Sequence, residues 1–283
     1  MTLNYLRREI KSGLLLLSQN MPQKVLVFTD SRGEHKASFG PKQRIYTEAL
    51  ADRFNADVVA CPFKWTTFVD FILCCQRGYI DLTTYDKVIL HLGIVDASPR
   101  PLSSLQKLLS GTDGIKRSRL FVRPNSGKRR IHNNKQALVS ELIPDYHEHL
   151  RTHLNTAYRG EKTQMLLTPQ MFQEQILPWL RSHIGERLIL INMNRISRGW
   201  EGNYLKRNPH GRPKNMHRIE EHTALLSSSG IAMVDPGVWS DAEVRRYTVD
   251  NMHLTPEGSA WILQRLIPLL SEPVSGHSEL PKA

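Results

Sequence analysis

The sequence predicts a doubly wound α/β fold on a parallel sheet. Two patterns carry that expectation: five short runs rich in Val, Ile and Leu without polar alternation, and stretches of helical spacing between them. Unalternated runs suit strands buried on both faces of a parallel sheet, and helices supply the crossovers such a sheet requires. A chain of 283 residues can bury one large core of this kind.

Taken in order, residues 1–22 come first and read as a lead-in helix or arm. Their leucine patch, Leu14 to Leu17, is shorter than the apolar region of a secretory signal and lacks a small-residue cleavage site. The main domain is expected over 23–272, with 273–283 as a tail. Its first strand, 24–28, stops at Asp30-Ser31-Arg32-Gly33; a helix over 45–54, a strand over 56–60, a helix over 67–75 and a strand over 87–92 follow. The next apolar run begins only at 187, too far for an ordinary crossover. Residues 101–165 therefore read as a basic insertion or cap between the third and fourth strands, beside the ligand-binding edge. Within it, IKRSRLFVRPNSGKRRIHNNKQ is basic and turn-rich, and 137–158 has helical spacing that Pro144 should bend or interrupt. A helix over 171–183, a strand over 187–193, a helix over 216–227 and a strand over 230–234 complete the alternation. Thr255-Pro256-Glu257 then offers a capping hydroxyl, a proline at the first helical position and an early acid for a closing helix over 256–270.

Composition narrows the setting. No apolar stretch approaches the roughly 20 residues a membrane span needs. Three cysteines, two of them adjacent (Cys74 and Cys75, with Cys61), do not make a disulfide framework, so the cytoplasm is expected, free or peripheral to the inner membrane surface. A formal net charge of +11 attracts polyanions, and a basic-surfaced soluble enzyme is its plainest explanation.

Ligands gather at the carboxyl ends of parallel strands, and three polar clusters fall there. They are Asp30 to Gly33, Gly93 to Arg100, and Val249 to Pro256 ahead of the last helix. Alone, each also reads as plain structure: a turn, a strand-ending loop and the start of a helix. A serine hydroxyl needs a base to take its proton and a carboxylate to hold that base in the right tautomer. Ser31, His253 and Asp250 can fill those roles, because the two residues between Asp250 and His253 let that pair share one turn. Gly33 would let the backbone approach closely.

Weaker signals are set aside. His149 and His153 share a helical spacing that can hold zinc, but no third ligand follows, and no metal is expected. Residues 116–130 carry no helix-turn-helix or zinc pattern. A solvated loop is expected there, with an acidic glycan as its possible partner and nucleic acid not expected. Trp65 or Trp200 could stack on a sugar ring, although packing is the default for both. No phosphate-cradling loop or dinucleotide fingerprint occurs, and no cofactor is expected.

FTDSRG, HLGIVDASPR and VDNMHLTPEG, in that order, resemble the blocks of the SGNH, or GDSL-like, hydrolase family, over residues 24–270 and leaving the insertion outside. The resemblance implies a flavodoxin-like, five-stranded parallel sheet in three α/β/α layers. It implies Ser31 as nucleophile, His253 as base and Asp250 as orienting acid. It also implies an oxyanion hole from the Ser31 N–H, a glycine in the second block and an asparagine in the third. This chain departs from the pattern: Thr29 replaces a glycine, ACPFKWTTF has none, and Val95 stands where the asparagine would be. Losing one such donor costs roughly 10²- to 10³-fold in turnover. Lys64, Arg32, Arg100 and Asn194 are the expected substitutes at the same edge, with Gly93 and Asp96 of the third block beside them. The expected function is a serine esterase that removes an O-acetyl or other small acyl ester from a carbohydrate. An acyltransferase in polysaccharide modification and a non-catalytic glycan-binding protein are the alternatives.

Overall fold

The computed structural model describes residues 24–34, 43–63, 65–110, 135–144, 146–152, 154–206 and 208–271. Among the described residues, eight strands fall in chain order: β1 Val25–Thr29, β2 Ala56–Ala60, β3 Lys87–His91, β4 Arg100–Pro101, β5 Leu154–Tyr158, β6 Glu161–Gln164, β7 Leu188–Ile191 and β8 Met233–Val234. Five of them form the central sheet in the order β2-β1-β3-β7-β8, every neighbouring pair parallel.

The strands lack alternation because both faces of the sheet are covered. Every residue of β1, β3 and β7 is buried. Successive side chains point to opposite faces, and the two cores separate accordingly. Leu26, Phe28, Val88, Leu90, Leu188 and Leu190 face helices Phe68–Gln76, Leu102–Ser110, Lys135–Leu142 and Leu177–His183. Val25, Val27, Ile89, Ile189 and Ile191 face helices Tyr46–Phe54, Asp241–Tyr247 and Pro256–Ser271. The result is the three-layer α/β/α arrangement expected of a flavodoxin-like sheet.

Local chemistry sets the helix limits. Thr67 accepts from the Asp70 N–H while the Asp70 carboxylate accepts from Thr67, a reciprocal cap that starts Phe68–Gln76. The Thr255 hydroxyl accepts from the Gly258 N–H at the start of Pro256–Ser271. The helix expected over 171–183 opens earlier, at Pro169, and widens into a π turn over Phe172–Ile176 just ahead of Pro178.

The insertion between β3 and β7 differs from its sequence pattern in one respect. Helix Lys135–Leu142 ends two residues before Pro144, whose ring cannot continue it, and helix Tyr146–Arg151 follows. The helical spacing does not continue to Tyr158, however. Residues from Leu154 form β5, which turns at Arg159-Gly160 into antiparallel β6, and β6 pairs with β4. Both turn residues have positive φ, 56° and 81°, the left-handed geometry that suits a two-residue hairpin. Cross-strand pairing outweighs a helical pattern here because the hairpin satisfies backbone groups against β4. The 116–130 run, the 1–22 arm and the 273–283 tail lie outside the described residues.

Among the described residues no helix is long and apolar enough to cross a membrane. His149 is buried, its Nε2 3.0 Å from the Met165 carbonyl, and His153 lies outside the described residues.

Among the described residues, three histidines are buried: His91, His149 and His222. Burial pushes His91 and His149 below the usual imidazole range and His222 down to about 4. The unfolded chain takes up these protons near pH 6.5, whereas folded His222 waits until about pH 4. Its share of stability is therefore complete above pH 6.5 and is lost as the pH falls towards 4, an integrated difference of about 3 kcal/mol. In urea melts at stepped pH, His222→Leu should lose correspondingly less stability over that window than the wild type; equal slopes would reject the account.

Candidate active site

The sheet order places a crevice between β1 and β3. The chain leaves β1 towards one face and β3 towards the other, so the carboxyl ends of these neighbours diverge. Ser31 follows β1, and residues 94–100 follow β3. A cleft of about 640 Å³ opens there, its lining including Ser31, His253, Arg100 and Arg212.

Ser31 begins a single 3₁₀ turn, Ser31–Gly33, built around a buried ion pair. Asp30 is fully buried and accepts the Arg32 N–H at 2.9 Å. The Arg32 side chain folds back onto the same carboxylate, Nη2 at 2.8 Å and Nε at 3.0 Å, and Nη2 also donates to the Leu92 carbonyl at 2.8 Å. With Asp30 and Arg32 turned inward, Ser31 between them faces the cleft. Gly33 closes the turn with its N–H on the Asp30 carbonyl at 3.1 Å, and any Cβ there would lie 2.2 Å from the Thr29 hydroxyl. Below the turn, the Tyr46 hydroxyl and His91 Nδ1 are 2.7 Å apart. Burial, with Arg32 beside it, keeps His91 neutral, and burial together with Asp30 raises Tyr46.

Across the cleft, His253 Nε2 lies 2.9 Å from Ser31 Oγ, and His253 Nδ1 lies 2.8 Å from Asp250 Oδ2. These partners assign the tautomer: Nδ1–H donates to the carboxylate and Nε2 accepts the serine proton. Asp250 Oδ1 accepts the backbone N–H groups of Met252 at 3.1 Å and His253 at 2.8 Å. Burial would raise the Asp250 carboxyl, but the hydrogen bonds and charge of His253, with Arg212 farther off, outweigh it and hold the group below the usual range. The loop is clamped by Asn251, at φ 71°, whose side chain bonds Ser197 N–H at 2.8 Å, Ser197 C=O at 3.0 Å and the Trp200 carbonyl.

The remaining sequence candidates separate. Arg100 lines the cleft. Arg32 also borders it, but its guanidinium is spent on Asp30 and Leu92, leaving Nη1 buried without a partner. Gly93, at φ 106°, caps the short helix Ile94–Ala97. Asp96 is not a cleft group: it is fully buried and accepts the Phe68 N–H at 3.2 Å at the start of Phe68–Gln76. Asn194 is likewise turned away, donating to the Arg195 and Asn251 carbonyls at 2.8 Å each and so bracing the Asp250–His253 loop. Lys64 lies outside the described residues. Trp65 lines the cleft, whereas Trp200 packs against the core beneath the closing helix.

Sequence reasoning missed Arg212. Its Nη1 donates to Glu201 at 2.9 Å, its Nη2 is 3.7 Å from Asp250 Oδ2, and its guanidinium lies 3.7 Å over the Tyr204 ring. These residues come from the irregular segment after β7, where no spacing announces them. Asn251 did carry a signal, since asparagine tolerates left-handed backbone geometry.

No protein-family model matches the chain. No curated protein matches it. Among solved structures it is similar to a protein described as GDSL-like lipase from Parabacteroides merdae, at 9% identity and TM-score 0.44, covering 89% of this chain and 97% of that one. It is similar to a two-domain esterase active on acetylated mannans, at 12% identity and TM-score 0.41, covering 97% of this chain and 56% of that one. It is also similar to phospholipase A1 from Streptomyces albidoflavus, at 12% identity and TM-score 0.43, covering 87% of this chain and 99% of that one. Each is a remote likeness only; the strand order β2-β1-β3-β7-β8 is by itself that of a flavodoxin-like doubly wound sheet.

Breaking one side of a buried ion pair leaves an uncompensated charge. Arg32→Met is expected to cost about 3–5 kcal/mol in urea unfolding. The Asp30→Asn/Arg32→Met double variant should be less destabilised than Arg32→Met alone; the reverse order would show that the pair does not hold the turn.

Proposed function

We propose that this chain is a serine ester hydrolase of SGNH type, acting through an acyl-serine on a small acyl ester, such as acetyl, carried by a carbohydrate. The observation that supports it is one unbroken hydrogen-bonded line, Ser31 Oγ to His253 Nε2 and His253 Nδ1 to Asp250, opening on a cleft. In this reading Ser31 Oγ attacks the ester carbonyl as His253 Nε2 takes its proton. The tetrahedral intermediate collapses, His253 returns the proton to the leaving alcohol, and Asp250 stabilises the imidazolium meanwhile. Water then attacks the acyl-serine by the same proton route and releases the acid.

Oxyanion stabilisation falls to main-chain donors beginning with the Ser31 N–H, because Val95 lines the cleft where the family resemblance would have an asparagine amide. The carbohydrate half of the proposal rests on aromatic rings at the cleft wall, Trp65, Tyr158 and Tyr204, each able to offer a face or edge to a sugar. None of Cys61, Cys74 and Cys75 is in a disulfide, which suits a cytoplasmic setting.

A fluorophosphonate probe is expected to label Ser31, read by peptide mass spectrometry, and His253→Ala to abolish the labelling. Acetate release from an acetylated oligosaccharide should fall by roughly 10³-fold or more in Ser31→Ala. Undiminished turnover in Ser31→Ala rejects the mechanism, and an unlabelled Ser31 with tight glycan binding favours a non-catalytic scaffold.

A further inference from the structure

Among the described residues, the cleft lining contains Arg32, Arg100, Arg159 and Arg212 against a single carboxylate, Glu161. Two of these cations are already matched. Arg32 is held by Asp30 at 2.8 Å, and Arg212 by Glu201 at 2.9 Å and Asp250 at 3.7 Å. Glu161 is also committed: its two oxygens accept the Ser103 hydroxyl at 2.8 Å and the Ser103 N–H at 3.0 Å, and those bonds hold its carboxyl below the usual range. Arg100 and Arg159 have no carboxylate within salt-bridge distance among the described residues.

The two unmatched cations sit differently. Arg100 is partly buried, its Nε shielded from solvent without a hydrogen-bond partner and its guanidinium 5.4 Å from the centre of the Trp65 ring. Burial lowers the proton affinity of Arg100, with Tyr204 and Asp96 opposing the shift. A buried, unpaired polar group of this kind costs free energy in the resting protein, and native folds seldom keep one without a use. Arg159 is exposed at the tip of the β5–β6 hairpin, in left-handed geometry at φ 56°. The hairpin is latched over the cleft by Tyr158, whose hydroxyl donates to the Gly211 carbonyl at 2.7 Å. The hairpin turn and the latch together place Arg159 at the cleft's wall.

We propose that Arg100 and Arg159 form a binding subsite for an oxyanion on the non-acyl half of the substrate, making the substrate an ester of an acidic saccharide. This rests on the ester-hydrolase reading and adds the charge of the alcohol it accepts. The guanidinium fork matches two oxygens of a carboxylate or phosphate, a match a neutral sugar does not offer. The Trp65 ring, its centre 5.4 Å from the Arg100 guanidinium, lines the same cleft and is available to a sugar ring. The anion supplies the counter-charge that Asp30 and Glu201 supply to the other two arginines.

The full chain is titrated calorimetrically with unacetylated oligogalacturonate, a neutral oligogalactoside and a sugar phosphate. Acetylated forms of the first two are then compared by kcat/KM. The wild type should bind the charged oligomer and prefer its acetylated form by on the order of 10- to 100-fold, mostly through KM. Arg100→Gln should erase most of that preference, Arg159→Ala part of it, and Arg100→Lys should retain part. Circular dichroism and the melting temperature check that each variant is folded. Tighter binding of the sugar phosphate, equally lost in Arg100→Gln, keeps the subsite and assigns it to phosphate. Equal treatment of charged and neutral oligomers by the wild type, or a preference that survives Arg100→Gln/Arg159→Ala, overturns the proposal. Absence of both turnover and Ser31 labelling would count against the hydrolase reading alone, because calorimetry reads the subsite without hydrolysis.

Discussion

Much of the site depends on one buried ion pair at the end of β1. Asp30 and Arg32 are two residues apart, both inside the protein, and their side chains close on each other across the intervening serine. A carboxylate and a guanidinium so far from water are tolerable only when each satisfies the other, so the pair leaves the turn little freedom. Its geometry directs residue 31 outward. The additional bond from Arg32 to the Leu92 carbonyl ties the end of β1 to the end of β3, and so fixes the two sides of the crevice relative to one another. The glycine that follows is required by contact: the Thr29 hydroxyl occupies the space a side chain would need.

A second clamp stands opposite. Asn251 and Asn194 tie the Asp250–His253 loop to the segment after β7, and that segment also carries Arg212 towards Asp250. The line from serine to carboxylate is thus held at both ends by bonds outside it, one set from β1 and β3, the other from the chain after β7. Such support is what keeps a constellation of side chains within hydrogen-bonding geometry.

The central sheet was legible in the sequence because burial on both faces leaves a direct mark, runs of apolar residues without alternation. Ser31, Asp250 and His253 could be singled out because their residue types are few and their positions fall at strand and helix ends. The roles of Asp96 and Asn194 could not be separated from theirs by the same means. A polar residue at a strand end can face a ligand or satisfy an N–H of the next element, and the choice depends on where that element packs. Asp96 takes the Phe68 N–H and Asn194 the Asn251 carbonyl, both contacts across long separations in sequence. The β5–β6 hairpin was missed for a related reason. Its residues have helical spacing, and only the presence of β4 alongside makes the extended form better. Arg212 is the extreme case, a residue in an irregular segment whose partners Glu201, Tyr204 and Asp250 share no periodicity.

On the ester-hydrolase proposal, Val95 at the position where the resemblance implies an asparagine donor and the Arg100 cation without a salt-bridged carboxylate among the described residues are connected by the energetics of catalysis. An oxyanion donor acts where charge develops, so its loss falls on the chemical step. Contacts to a remote part of the substrate act on binding, but that binding energy can be drawn on to orient and desolvate the reacting ester. A neutral sugar held by stacking alone would supply little of it. On the proposed reading, a charged group bound by Arg100 and Arg159, which line the same cleft as Ser31, would supply more. On the ester-hydrolase proposal, with Val95 at the cleft wall, selection by charge would compensate in kcat/KM for a weaker chemical step and would penalise uncharged esters.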